Sequence, residues 1–177
     1  DIGASHYLYD HLRLLQHYSL GNIKELAKKI TLDNAMLNYL DNTQNNANNP
    51  NENYAREFLE LFTITKGEQI GEGDYSTYTE DDVIMAAKVF SGFKTKLDRS
   101  IIDTDTGIPM GRISVNQHDQ STKIFSNAFN NYQLNGGTDE NTIMSELHEF
   151  VDMIFDKEAT ARAYVSKLYR FFVKSEW

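Results

Sequence analysis

The stretch that most constrains this chain is Asn49–Phe62, NPNENYAREFLELF. Asn49 reads as an N-cap, Pro50 as the first helical residue and Glu52 as the acidic residue three positions after the cap. At about 100° per residue, the side chains that follow separate into two faces. Tyr54, Ala55, Phe58, Leu59, Leu61 and Phe62 make an apolar stripe, and Glu52, Asn53, Arg56, Glu57 and Glu60 a polar one. One helix is therefore expected to bury three aromatic rings while presenting carboxylates, a guanidinium and a carboxamide together.

That polar face has three readings. Glu52–Arg56 and Arg56–Glu60 are spaced i,i+4, as on an ordinary solvated helix where each pair contributes about 0.2–0.5 kcal/mol. Alternatively, Glu52, Arg56, Glu57 and Glu60 line a cleft, where Arg56 holds an anionic or hydroxyl-bearing ligand and paired carboxylates hold a hard cation. Asp41, Asn42, Asn51 and Asn53 are candidate ligand-binding neighbours of such a cleft. His118 and Asp119 are a separate candidate pair, with His118 as general acid/base or ligand and Asp119 as its orienting partner or a plain helix cap. In the third reading the same residues are fold glue, with Arg56 buried against Glu57, Asp41 and the Asn-rich segment DNTQNNANNPN.

A chain of 177 residues with 40% hydrophobic content can bury a real core, and one domain is the natural count. Ten Tyr and ten Phe against one Trp mean that aromatic packing carries much of it. A net charge of −9, without clustered Lys/Arg, argues against nucleic acid. The absence of cysteine removes disulfides, thiol chemistry and thiolate metal sites, and locates the protein in neither redox compartment. No apolar run approaches the roughly 18–20 residues that span a membrane. The chain opens abruptly on an apparent helix at Ser5 and stops just after an apolar one, which reads as a fragment of a longer domain whose targeting segment is not informative.

Apolar residues at helical spacing predict a first helix from Tyr7 to Tyr18 closed by Gly21, and a second over Ile23–Ile30 opened by Asn22 and Glu25. Asp33 caps a third, Asn34–Leu40. His6, His11 and His17 recur at intervals that share no helical face and read as structural. Thr63–Thr77, broken by three glycines, reads as a loop. Thr79 with Asp82 opens a helix over Glu80–Ser91, ended by Gly92. Residues 93–117 lose the helical period; Ile101-Ile102 and Ile113–Val115 are expected to pair as a hairpin around Thr104–Pro109. Within it, Asp103 and Asp105 open a segment resembling a calcium loop, but the third acidic position and the later Glu are missing, so a polar turn is the simpler reading. A helix is expected to start near Lys123–Phe129. Thr138 then caps a helix through Phe155, in which His148-Glu149-x-x-Asp152 echoes a zinc-protease helix without its second His. Asp156 caps a last one, Lys157–Val173, apolar nearly all round near its end. The expected fold is mainly α: a single domain of about six or seven helices with a small irregular or β-hairpin insertion.

Several landmarks together resemble a large bacterial family catalogued as domain of unknown function 1800. They are HLRLLQHYSLG at His11–Gly21, AMLNYLDN at Ala35–Asn42, PNENYAREFLELF at Pro50–Phe62, YTEDDVIMAAKVFSG at Tyr78–Gly92, His118-Asp119 and KLYRFFV at Lys167–Val173. The resemblance spans nearly the whole chain in order, with Tyr169 and Ile64-Thr65-Lys66 as departures. It implies a mainly helical fold within a longer domain and, commonly, export to the periplasm or cell envelope. It also implies gene neighbours from another exported family resembling alkaline-phosphatase-type hydrolases. It highlights Asp41, Asn42, Asn51, Glu52, Asn53, Arg56, Glu57, His118 and Asp119 as motif positions but brings no activity or cofactor with them.

Two functions follow as expectations. One is a non-catalytic helical module of an exported protein, working through a protein or glycan partner and leaving an apolar or aromatic patch exposed. The other is a metal- or carboxylate-assisted hydrolase, with Glu52 or Glu57 as base or ligand, Arg56 neutralising developing charge and His118 shuttling a proton. The hydrolase requires His118 within reach of the Glu52–Glu60 face.

Overall fold

The computed structural model describes residues 5–174. Among them are seven α-helices: α1 (Ser5–His17), α2 (Ile23–Ile30), α3 (Asn34–Tyr39), α4 (Asn53–Glu57), α5 (Glu80–Val89), α6 (Glu140–Phe155) and α7 (Glu158–Phe172). Two short antiparallel hairpins complete the fold, β1 (Phe93–Lys94) with β2 (Arg112–Ile113) and β3 (Lys123–Ile124) with β4 (Gln133–Leu134). The mainly α architecture with a small β insertion is the one the periodicity predicts.

The aromatic residues make one core. Phe90, at the end of α5, meets Tyr54 of α4 at 4.9 Å between ring centroids, Phe58 at 5.1 Å and Phe150 of α6 at 5.3 Å, all three edge-on. Phe125 beside β3 extends the cluster to Phe150 at 5.5 Å. Edge-to-face contacts at this range add about 0.5–1.5 kcal/mol each beyond area burial.

The central rod differs from its predicted form in two ways. It starts at Asn53 rather than Pro50, because the asparagines before it make their own turn. Asn46 Oδ1 accepts from the backbone N–H groups of Asn48 and Asn49, and Asn51 Oδ1 accepts from Asn53 N at 3.0 Å. Past Glu57 the α-helix widens into a π-turn over Phe58–Phe62, closed by Thr63 Oγ1 donating to Phe58 O at 2.7 Å. The extra residue rotates the end of the rod, so Leu61, expected inside, is 58% exposed.

Other boundaries shift by local chemistry. α1 ends at His17, with Tyr18–Leu20 turning before Gly21. Thr79 and Asp82 form the full capping box of α5. α6 is capped by Asp139, with Thr142 completing the box, rather than by Thr138. α7 begins after Lys157 rather than at an Asp156 cap. The expected pairing of Ile101-Ile102 with Ile113 is replaced by Ile113 against Phe93, leaving Ile102 opposite Pro109 in a single bridge. The helix expected near Lys123–Phe129 is β3 followed by a 3₁₀ turn, Asn127–Phe129. Asp82 is the reason: its carboxylate accepts from Ser126 N and Oγ, both at 2.7 Å, holding that segment against α5 in an extended conformation.

Candidate functional site

α5 separates the predicted site residues into two groups. At its N-terminal end, Arg56 makes a forked contact with Glu80, Nη1 donating at 3.1 Å and Nη2 also bonded, while Nη2 reaches Glu52 at 3.0 Å. The Glu80 carboxylate holds the guanidinium in its charged form, and Arg56 in turn holds the Glu80 carboxyl below its ordinary range. The Arg56 side chain is 34% exposed. It is therefore not buried against Glu57 and Asp41, as the fold-glue reading required; α5 supplies a partner, Glu80, outside the motif. Glu57 is half-buried and its side chain makes no hydrogen bond or ion pair among the described residues, and Glu60 pairs with Lys66 at 2.9 Å.

The asparagines of the motif bind backbone. Buried Asn42 donates to Phe90 O at 3.1 Å, and buried Asn45 donates to Ala87 O at 2.8 Å while its Oδ1 accepts from Asn51 N at 3.0 Å. Asn53 Nδ2 donates to Leu40 O at 3.1 Å and Asn51 Nδ2 to Asp41 O at 3.4 Å. Asp41 itself sits exposed in a left-handed conformation, φ 56°. These contacts fix the Asn-rich elbow onto the last turn of α5. Losing the Asn42 or Asn45 side chain would leave a buried carbonyl without its partner.

At the C-terminal end of α5 lies His118. Its Nδ1 is 2.8 Å from Ser91 O, which can only accept, so Nδ1 carries a hydrogen. Its Nε2 is 2.9 Å from Glu146 Oε2, and the other Glu146 oxygen is 2.7 Å from Lys123 Nζ. Gly137 N also donates to Glu146 Oε2, at 2.6 Å. Lys123 bonds the Asp119 carbonyl as well, with the Asp119 carboxylate at 3.7 Å. Asp119 is not a helix cap: its Oδ1 accepts from Ser121 N at 2.9 Å in a turn. Burial tends to raise the Asp119 carboxyl, but the Ser121 bonds and Lys123 outweigh it and leave the pKa lowered. Gly92, φ +81°, lets the chain enter this site, since a Cβ there would stand 2.8 Å from Ser114 O and 2.9 Å from His118 N.

The two ends do not form one site. Arg56 engages Glu80 and His118 engages Ser91, eleven residues on, which at about 1.5 Å of rise per residue separates them by roughly 16 Å. Sequence reasoning missed Glu146 and Lys123. Glu146 was visible as an acid three residues after Ile143 on an otherwise apolar inward stripe; Lys123 carried no signal. Of the metal candidates, Asp103 and Asp105 both grip Lys29, at 2.5 and 2.6 Å. Asp152 clamps α2 to α6 through Lys24 at 3.1 Å and Lys28 at 3.0 Å, and Glu149 accepts from Tyr132 Oη at 2.6 Å. No group of three or more His, Asp or Glu placed to hold a metal occurs among the described residues.

The outer surface carries apolar stripes. On α1, Leu8, Leu12 and Leu15 face outward at i,i+4,i+7, and on α7 Val165, Leu168 and Phe172 do so at i,i+3,i+7. Leu12 and Leu168 are each 56% exposed and Phe172 75%. No helix among the described residues is long and apolar enough to cross a membrane.

Comparison with the curated proteins and with the solved structures found no match. The family model described as "Protein of unknown function (DUF1800)" matches residues 3–177, and the chain belongs to that family.

Proposed function

We propose that this chain is a helical docking module of an exported bacterial protein, acting through an amphipathic helix of a protein partner. The observation that carries this reading is the pair of outward apolar stripes on α1 and α7. Their 4-and-3 spacing is the one a facing helix fills with its own side chains. Exposed rows of large apolar side chains mark an interaction site on a folded chain. The motif residues support the reading from the other side, because the asparagines and His118 are committed to the fold. Family resemblance makes an exported hydrolase-like protein encoded nearby the first partner to try.

Hydroxyl-radical footprinting of Leu12, Leu168 and Phe172 tests it, on the full-length protein both purified and in intact cells. Protection in cells alone is the expected result. Protection already present in the purified monomer would mean that the protein's own chain covers the stripes, and equal labelling in both would mean that nothing does; either ends the proposal.

A further inference from the structure

A second surface differs from the stripes in chemistry. Between the loop of residues 63–79 and α7 run two contiguous cavities of about 400 and 520 Å³, sharing Ile64, Thr77 and Ala159 in their walls. Lys66, Lys157, Arg162, Lys167 and Arg170 line them and no Asp or Glu does, in a chain with 26 acidic residues and a net charge of −9. From Lys157 to Arg170 the wall extends about 20 Å along α7. Lys66 and Arg162 share their charge with Glu60 and the exposed Glu158, neither of which lines the cavities. Lys157 and Lys167 are ion-paired with no carboxylate among the described residues: Lys157 lies over the Phe129 ring at 5.8 Å, and Lys167 donates to Leu61 O at 2.5 Å.

The rest of the lining is hydroxyls and an amide, at Ser76, Thr77, Thr79, Ser126, Asn127 and Ser166, with the Tyr75 ring alongside. Thr65 stands at φ +64°, which β-branched residues rarely adopt, pinned by Thr77 Oγ1 donating to its carbonyl at 2.7 Å. The loop wall is therefore held in place without a ligand.

We infer that this groove binds a segment of an acidic polysaccharide. Cations at intervals meet carboxylates carried on successive sugar rings, and the hydroxyls and amide meet the ring hydroxyls. A duplex nucleic acid, with one charge per about 1.7 Å, would bring about twelve charges to a wall of this length that holds five cations, whereas an acidic polysaccharide brings one carboxylate per sugar ring. The inference is independent of the docking stripes and stands or falls separately.

Calorimetric titration of the full chain with tetragalacturonate tests it, beside neutral tetragalactose, a hexaglutamate peptide and duplex DNA. Tetragalacturonate is expected to bind about tenfold more tightly than tetragalactose and to weaken as salt rises from about 50 to 200 mM. Lys157→Gln and Lys167→Gln are each expected to weaken it about three- to fivefold, the scale of one exposed charge contact, with the melting temperature of each variant reporting that the fold is intact. Failure of tetragalacturonate to bind, equal or tighter binding of the peptide or DNA, or binding unchanged by both substitutions would each overturn the inference.

Discussion

His118 and Glu146 meet at 2.9 Å with essentially no exposed side-chain surface on either, and Lys123, equally enclosed, holds the other Glu146 oxygen. The imidazole and the Lys123 ammonium thus converge on one carboxylate inside the fold. Glu146→Ala would take from the buried Lys123 ammonium its nearest carboxylate, leaving only Asp119 at 3.7 Å, and unfolding in urea should show a loss of about 3–5 kcal/mol. A loss under about 1 kcal/mol would mean that water already reaches this cluster.

Arg56 is expected to behave differently. Its contacts with Glu80 and Glu52 are partly open to solvent, so Arg56→Ala should cost only about 1 kcal/mol or less. A double-mutant cycle with Glu80→Ala measures the coupling directly. A cost of several kcal/mol would restore the fold-glue reading of this residue.

Asn45→Asp replaces an amide by a carboxylate of the same shape at a buried position. The oxygen that takes the place of Nδ2 would face Ala87 O with nothing to donate. Thermal unfolding should report a loss of about 2 kcal/mol or more. An unchanged midpoint would show that the elbow is not held through this side chain.

Gly92 and Gly107 make an internal comparison. Both have positive φ, but a Cβ at Gly92 meets Ser114 O and His118 N, whereas at Gly107 it meets nothing within 4 Å. Gly107→Ala should cost about 1 kcal/mol for the backbone alone, and Gly92→Ala clearly more. Equal melting temperatures for the two variants would contradict the crowding described around Gly92.

Acid should weaken the fold in a defined direction. The Glu80 carboxyl is held low by Arg56. Burial tends to raise Asp103, but the bonds from Lys29 and Thr106 outweigh it and leave it low as well. A carboxyl lowered in the folded state contributes its stability fully above its unfolded pKa, near 4, and loses it as pH falls through the lower folded value. Urea midpoints should therefore decline from about pH 5 downward, and Lys29→Met should flatten that decline. A midpoint that rises on acidification would reverse the assignment.

Much of the architecture was legible in the sequence because apolar periodicity and caps are local. Asp33, Thr79 and Asp82 cap the helices their spacing predicts. What was not legible depends on distant partners. The Phe93–Ile113 pairing, the extended Ser126 segment held by Asp82 and the pairing of Arg56 with Glu80 each join residues well apart in the chain. The π-turn was hidden for another reason: FLELF fits an α-helix equally well, and only packing shows the extra residue. At the candidate site, His118 was visible but the Glu146 and Lys123 that define its surroundings were not.

The widened turn of the central rod has one more consequence. Its main-chain carbonyls at Leu61 and Phe62 accept from Lys167 Nζ and Tyr164 Oη of α7. Every amino acid brings the same carbonyl, so positions 61 and 62 are free to change without unfastening the final helix. Tyr164 and Lys167 have no such freedom. The burden of keeping that joint rests on one side of it alone.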